Sequence, residues 1–126
     1  MNAPRLLPVV ATRRFERALD ALLEYYDGIR HLHPDAGSRA LLLIDVVEHE
    51  LPQLLPGQPD IGRPAQLSLT QSQVERNWLT RLAPLTAHRR LQAREWLVSD
   101  FRVLYYRTSS AVYLASARHV REAEYK

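Results

Sequence analysis

The sequence has no cysteine, so disulfides and thiolate metal sites are excluded, a usage that fits a reducing compartment. Lysine occurs once, as Lys126, so nearly all of the positive charge is guanidinium. Glycine occurs four times, and none of these forms a phosphate-cradling loop or a Gly-x-Ser-x-Gly nucleophile turn. No run approaches the roughly 20 apolar residues of a membrane span. Met1-Asn2-Ala3-Pro4-Arg5 lacks the apolar centre of a signal peptide, so a cytoplasmic location is expected. His-Glu-x-x-His is absent, and His31-x-His33 has no acid at ligand spacing. Neither a metal nor another cofactor is therefore expected.

What is present is enough for one domain, spanning residues 1–126, of which 46% are hydrophobic and 25% charged. The net charge of +3 is unevenly spread. Residues 1–87 hold 9 Arg and 10 acids, whereas residues 88–126 hold 8 Arg or Lys and 4 acids. The basic character thus lies in the last third of the chain, which suits nucleic acid or another acidic partner.

Leu6-Leu7-Pro8-Val9-Val10-Ala11 reads as a first strand, with Pro8 marking an edge or a strand start. Thr12 can cap a helix that buries Phe15, Leu19, Leu22, Leu23 and Tyr26. Arg13, Arg14, Glu16, Arg17, Asp20 and Glu24 fall on its solvated face, and Gly28 should end it. A second, more buried helix carries Ala40, Leu43, Ile44, Val47, Leu51 and Leu54, with Leu42 and Val46 widening the stripe. Pro52 either stops or kinks it. Prolines and glycines in residues 56–67 exclude regular structure. Ser72-Gln73-Val74-Glu75 offers a capping box for a short third helix with Val74, Trp78, Leu82 and Leu85, closed by Pro84. Residues 91–98, 101–107 and 111–117 read as three strands of an antiparallel meander with tight turns.

The layout implies an α+β domain of two layers: a helical hairpin packed on an antiparallel sheet, with an extra short helix inserted before the C-terminal meander. The first strand joins the edge or the centre of that sheet. In such a meander the end of the last strand lies beside the start of the middle one. Arg118 and His119 then approach Phe101 and Arg102, near Arg94, Arg121 and Tyr125. Arginines in that group can grip a phosphate bidentately, and His119 can act as acid or base near neutral pH. Catalysis of RNA cleavage by Arg102, Arg118, His119 and Tyr125 is one reading, with Glu95 or Glu122 as a source of a carboxylate. A basic rim used only for binding, formed by Arg94, Arg102, Arg118, His119 and Arg121, is the other.

Several segments resemble, in order and spacing, the RelE/ParE family of bacterial toxins. Pro59-Asp60-Ile61-Gly62-Arg63-Pro64 is similar to the family's Pro-x-x-Gly-Arg-Pro loop after the helical hairpin. Phe101-Arg102-Val103-Leu104-Tyr105 resembles its Tyr-Arg-Val-Leu-Tyr strand, and Arg118-His119-Val120-Arg121 its Arg-His-x-Arg ending. The resemblance implies a toxin of a type II toxin–antitoxin system, silenced by a cognate antitoxin through which alone it would meet operator DNA. RelE-like members cut mRNA on the ribosome, and ParE-like members inhibit DNA gyrase. A link of about thirty residues between Pro64 and Arg94 is longer than the family's usual one, and few residues follow Arg121. With the scarcity of lysine, the short tail favours the ParE-like side: a gyrase inhibitor rather than a ribosome-dependent endoribonuclease. A non-toxic binding module of the same fold is the remaining alternative.

Overall fold

The computed structural model describes residues 6–82, 92–122 and 124–126. Strand β1 (Val9–Ala11) leads into helix α1 (Arg13–Ile29). Helix α2 (Ala36–Asp45) continues through a π turn (Val46–Glu50) into α3 (Leu51–Leu54). The two-residue strand β2 (Arg63–Pro64) and helix α4 (Leu69–Leu82) precede β3 (Gln92–Val98), β4 (Phe101–Arg107) and β5 (Val112–His119). The expected Leu85, Pro84 and strand start at residue 91 lie outside the described residues. No helix among the described residues is long and apolar enough to cross a membrane.

The meander forms as expected, with Val98 opposite Phe101 and Arg107 opposite Val112. Ser99 turns the first hairpin at φ 47°, and Thr108 closes the second by accepting from the amides of Ser110 and Ala111 at 3.2 and 2.9 Å. Strand β1 takes the edge place beside β5, in the order β1-β5-β4-β3-β2. It runs parallel to β5, so the sheet is mixed rather than wholly antiparallel. The helices between them supply the crossover that a parallel neighbour needs. The strand is also shorter than expected. Pro8 has no N–H to give, and only its carbonyl joins the sheet, accepting from Val112 at 2.9 Å.

Thr12 caps α1 as expected, accepting from the Phe15 amide at 3.1 Å while donating to the Leu114 carbonyl at 2.8 Å. Phe15, Ala18, Leu22 and Tyr26 form the buried line. The helix runs one residue past Gly28, which does not take the positive φ of a left-handed cap. Pro52 does not stop the second helix. The Leu51 amide reaches back five residues to the Val46 carbonyl, and the π turn absorbs the register that the proline would otherwise break. The extra residue rotates the buried line, which becomes Ala36, Leu43, Val46, Leu51 and Leu55, while Leu41 and Leu42 face solvent.

Both faces of the sheet are covered, so the architecture is more than two layers. Phe101, Val103, Tyr105, Val112, Leu114 and Ala117 pack with the helical hairpin. Leu104, Tyr106, Ala115 and Tyr125 form a second cluster with Ala65, Leu67, Ala93 and Tyr113 on the other side. Helix α4 belongs to that second side. Its start is capped by Ser68, whose hydroxyl accepts from the Gln71 amide at 3.0 Å, four residues before the expected Ser72. Glu75 cannot serve a capping box because Arg14 claims it. Burial of Arg14 overturns its place on the solvated face: the side chain spans 61 residues of sequence to form a buried ion pair with Glu75. Tyr106 donates to the same carboxylate, and Gln71 adds a bond at 3.0 Å. Helix α4 is thus fastened to the sheet by a polar lock inside an apolar setting. Breaking one partner of such a lock costs about 3–5 kcal/mol, because the other charge stays buried.

The loop before β2 is fixed by Gly62. Its amide donates to the Tyr105 hydroxyl at 2.8 Å, and its carbonyl accepts from Arg94 Nε at 2.9 Å. A Cβ there would stand 2.6 Å from the Glu95 carbonyl oxygen and 2.7 Å from the Tyr105 hydroxyl, so only glycine fits. Arg63 and Pro64 then pair with Glu95 and Arg94, giving regular structure where the prolines and glycines had argued against it.

Candidate functional site

The register places Phe101 opposite His119 and Arg102 opposite Arg118, the convergence expected from turn lengths. Alternation along the strands then divides the group between the two faces. Arg102 and Arg118 point to the side that carries Leu104, Tyr106 and Tyr125. His119 points with Phe101 toward the helical hairpin, where its ring lies 6.4 Å from that of Tyr26.

On the first of these sides the candidate residues hold the chain to itself. Arg102 donates to the carbonyls of Phe101 at 2.8 Å and Ser99 at 3.3 Å, bracing the β3–β4 turn. Arg118 donates to the Glu122 carbonyl at 2.6 Å and lies 5.0 Å over the Tyr125 ring. Tyr125 is buried; its hydroxyl donates to Glu95 at 2.8 Å, and its amide donates to Gln71 at 2.9 Å. Glu95 also accepts from the Gln66 amide at 2.9 Å. Burial, then the Glu95 carboxylate, pushes the Tyr125 phenol well above its ordinary range. Neither partner of this pair is open to a substrate. Glu122 accepts from the His119 amide at 3.3 Å, closing the turn after β5. Arg94 is on the hairpin side and is spent on the loop carbonyls of Gly62 and Asp60.

On the hairpin side the picture is more open. His119 accepts from the Arg121 amide through Nδ1 at 3.1 Å, and Nε2 has no hydrogen-bond partner among the described residues. Arg121 is exposed. These two residues border two adjoining cavities along α1. One, of about 340 Å³, is walled by Ala18, Ala21, Leu22, Tyr25 and Ala117. The other, of about 210 Å³, is lined by Tyr26, His33, Asp35 and Arg39 among others.

Three members of this groove lie outside the basic group expected from the sequence. Tyr26 belongs to the core as expected and is buried, with no hydrogen-bond partner for its hydroxyl among the described residues. Desolvation, reinforced by Asp100, pushes that phenol up to about 12. Arg39 forms an ion pair with Asp100, tying the start of α2 to the β3–β4 turn. His33 comes from the interhelical loop. The hairpin spacing alone offers no signal for these three, since they meet only when both helices pack on the strand that ends at His119.

The groove therefore offers two imidazoles, His119 and His33, two guanidinium groups, the Tyr26 phenol and the carboxylates of Asp35 and Glu122 beside apolar walls. No cluster among the described residues could hold a metal ion. Comparison with protein-family models finds no match, and comparison with curated proteins finds none.

Proposed function

We propose that this chain is a toxin of the RelE/ParE kind that acts by binding its target, with DNA gyrase as that target, and that a cognate antitoxin neutralises it. The observation that carries the binding mode is the buried Tyr125–Glu95 bond. RNA cleavage through the 2′-hydroxyl needs an acid and a base near the scissile phosphate, with charge stabilisation beside them. Of the groups chemically able to fill those roles, Tyr125 and Glu95 are sealed on one face, and Arg118 is folded onto the turn after its own strand. His119 stands on the opposite face without a second titratable partner in hydrogen-bond reach of its side chain among the described residues. A binding surface makes no such demand. It needs complementary charge and shape, which Arg121, His119 and the groove along α1 supply.

The toxin reading itself rests on the order of segments that resemble the family, now joined by a strand–hairpin–loop–meander succession compatible with it. Induction of the chain in bacteria tests it. Growth should arrest, and co-expression of a short acidic-tailed product from an adjacent reading frame should relieve the arrest. Arg121→Ala and His119→Ala, each folded by circular dichroism, should weaken it, while Arg30→Ala on the exposed end of α1 should not. A parent chain without effect on growth would leave a non-toxic binding module in its place.

A further inference from the structure

We infer that a second surface, away from the His119 groove, is a docking site for an acidic peptide segment that seats one aliphatic or aromatic side chain. It is a cavity of about 400 Å³ where α1 begins at the β1 edge of the sheet. Tyr106, Tyr113 and Ala115 line it from the sheet, Trp78 from α4, and Val10 from β1. Arg13 and Arg17 border it from α1.

Charge complementarity selects the occupant. Arg13 and Arg17 are four residues apart, so they share one side of the helix, and both are exposed. Neither forms an ion pair among the described residues. Arg14, also in the lining, is different: Glu75 satisfies it, and its guanidinium sits 5.2 Å over the Trp78 ring, so it holds the wall in place. The cavity is thus an apolar socket with two unspent guanidinium groups at its mouth, a geometry that grips carboxylates bidentately on either side of a buried anchor.

The backbone argues for a peptide over a nucleic acid. Strand β1 is the last in the sheet order, and Val10 on it is 42% exposed beside the cavity. An unpaired strand edge can take a further extended chain through main-chain hydrogen bonds, which a nucleic acid cannot supply. A peptide with an acidic residue before and after a Leu, Ile or Phe matches socket, arginines and edge together. This site does not depend on the toxin reading, because a harmless chain would carry the same surface.

The test is selection from a displayed library of random 12-residue peptides on the purified full chain, followed by calorimetry with one enriched synthetic peptide. Enriched peptides should place Asp or Glu around an aliphatic or aromatic residue. Affinity should fall about tenfold or more in Arg13→Glu/Arg17→Glu, where attraction becomes repulsion, and fall with added salt. Val10→Asp should weaken it similarly, and Arg30→Ala should leave it unchanged. Basic or neutral consensus peptides, no enrichment, or an affinity indifferent to the arginine reversal would overturn the proposal. So would a 12-nucleotide single strand that binds as tightly as the peptide and is lost in the same variants.

Discussion

Replacing Gly62 by alanine probes how the loop, the sheet and Arg94 depend on one another. The added Cβ would sit 2.6 Å from the Glu95 carbonyl oxygen and 2.7 Å from the Tyr105 hydroxyl. Glu95 belongs to β3, paired on both sides, so its backbone cannot retreat cheaply. The Tyr105 ring is fully buried among the hairpin helices. Relief therefore requires the loop to lift. That lengthens the Gly62–Tyr105 bond of 2.8 Å and leaves a buried hydroxyl short of a partner. Overpacking of this kind costs about 1–3 kcal/mol, and an unsatisfied buried group about 1–3 more, so a total near 3 kcal/mol is expected. With a urea dependence of about 1.5 kcal/mol/M for a domain this size, the unfolding midpoint should drop by about 2 M. Adding Tyr105→Phe should recover only part of the loss, since it removes the hydroxyl contact but not the clash with the Glu95 carbonyl. A Gly62→Ala midpoint within about 0.3 M of the parent would refute the packing argument, as would complete rescue by Tyr105→Phe.

Glu75→Ala should destabilise the fold by about 3–5 kcal/mol in urea titration, because Arg14 is left charged and buried, whereas Arg14→Met/Glu75→Leu together should cost far less. The Tyr26 phenol is raised in the folded state to about 12 from an ordinary 10, so its contribution is fully present below pH 10 and is lost as pH rises toward 12. Tyr26→Phe should accordingly flatten the alkaline decline in unfolding free energy between pH 10 and 12, and should be neutral or slightly stabilising at pH 7, where it removes an unpartnered hydroxyl. Arg121→Ala, at an exposed position, should change stability by less than about 0.5 kcal/mol, so that any loss of growth arrest in that variant reports binding alone.

The meander was legible because its strands alternate and its turns are short; the observed strands β3 and β4 fall within one residue of the expected bounds, and β5 runs two residues further, to His119. The convergence of Arg118 and His119 on Arg102 and Phe101 followed from those turns. Neighbours in sequence face opposite ways in a strand, however, so a cluster close in register is split by the sheet itself. A register shift between Leu104 and Tyr105 adds a residue to β5 that no turn length reveals. Arg14 illustrates a second limit. Helical periodicity assigns a polar residue to solvent, and only a carboxylate from a distant helix can make its burial tolerable. The π turn had a single sign, Pro52, which announces trouble in a helix without saying whether the helix ends or adapts. The start of α4 was misplaced by four residues because Ser68-x-x-Gln71 and Ser72-x-x-Glu75 are equally good capping patterns, and the tertiary claim on Glu75 decided between them.

The proposed action is inhibition by binding and not RNA cleavage. Its most direct measurement pairs two readouts on the same material: supercoiling by purified DNA gyrase with increasing amounts of the folded chain, and primer extension on transcripts from cells minutes after its induction. Supercoiling should be lost, less so with Arg121→Ala, while transcripts stay intact. Transcripts cleaved at codon boundaries, with supercoiling untouched at every concentration, would contradict it.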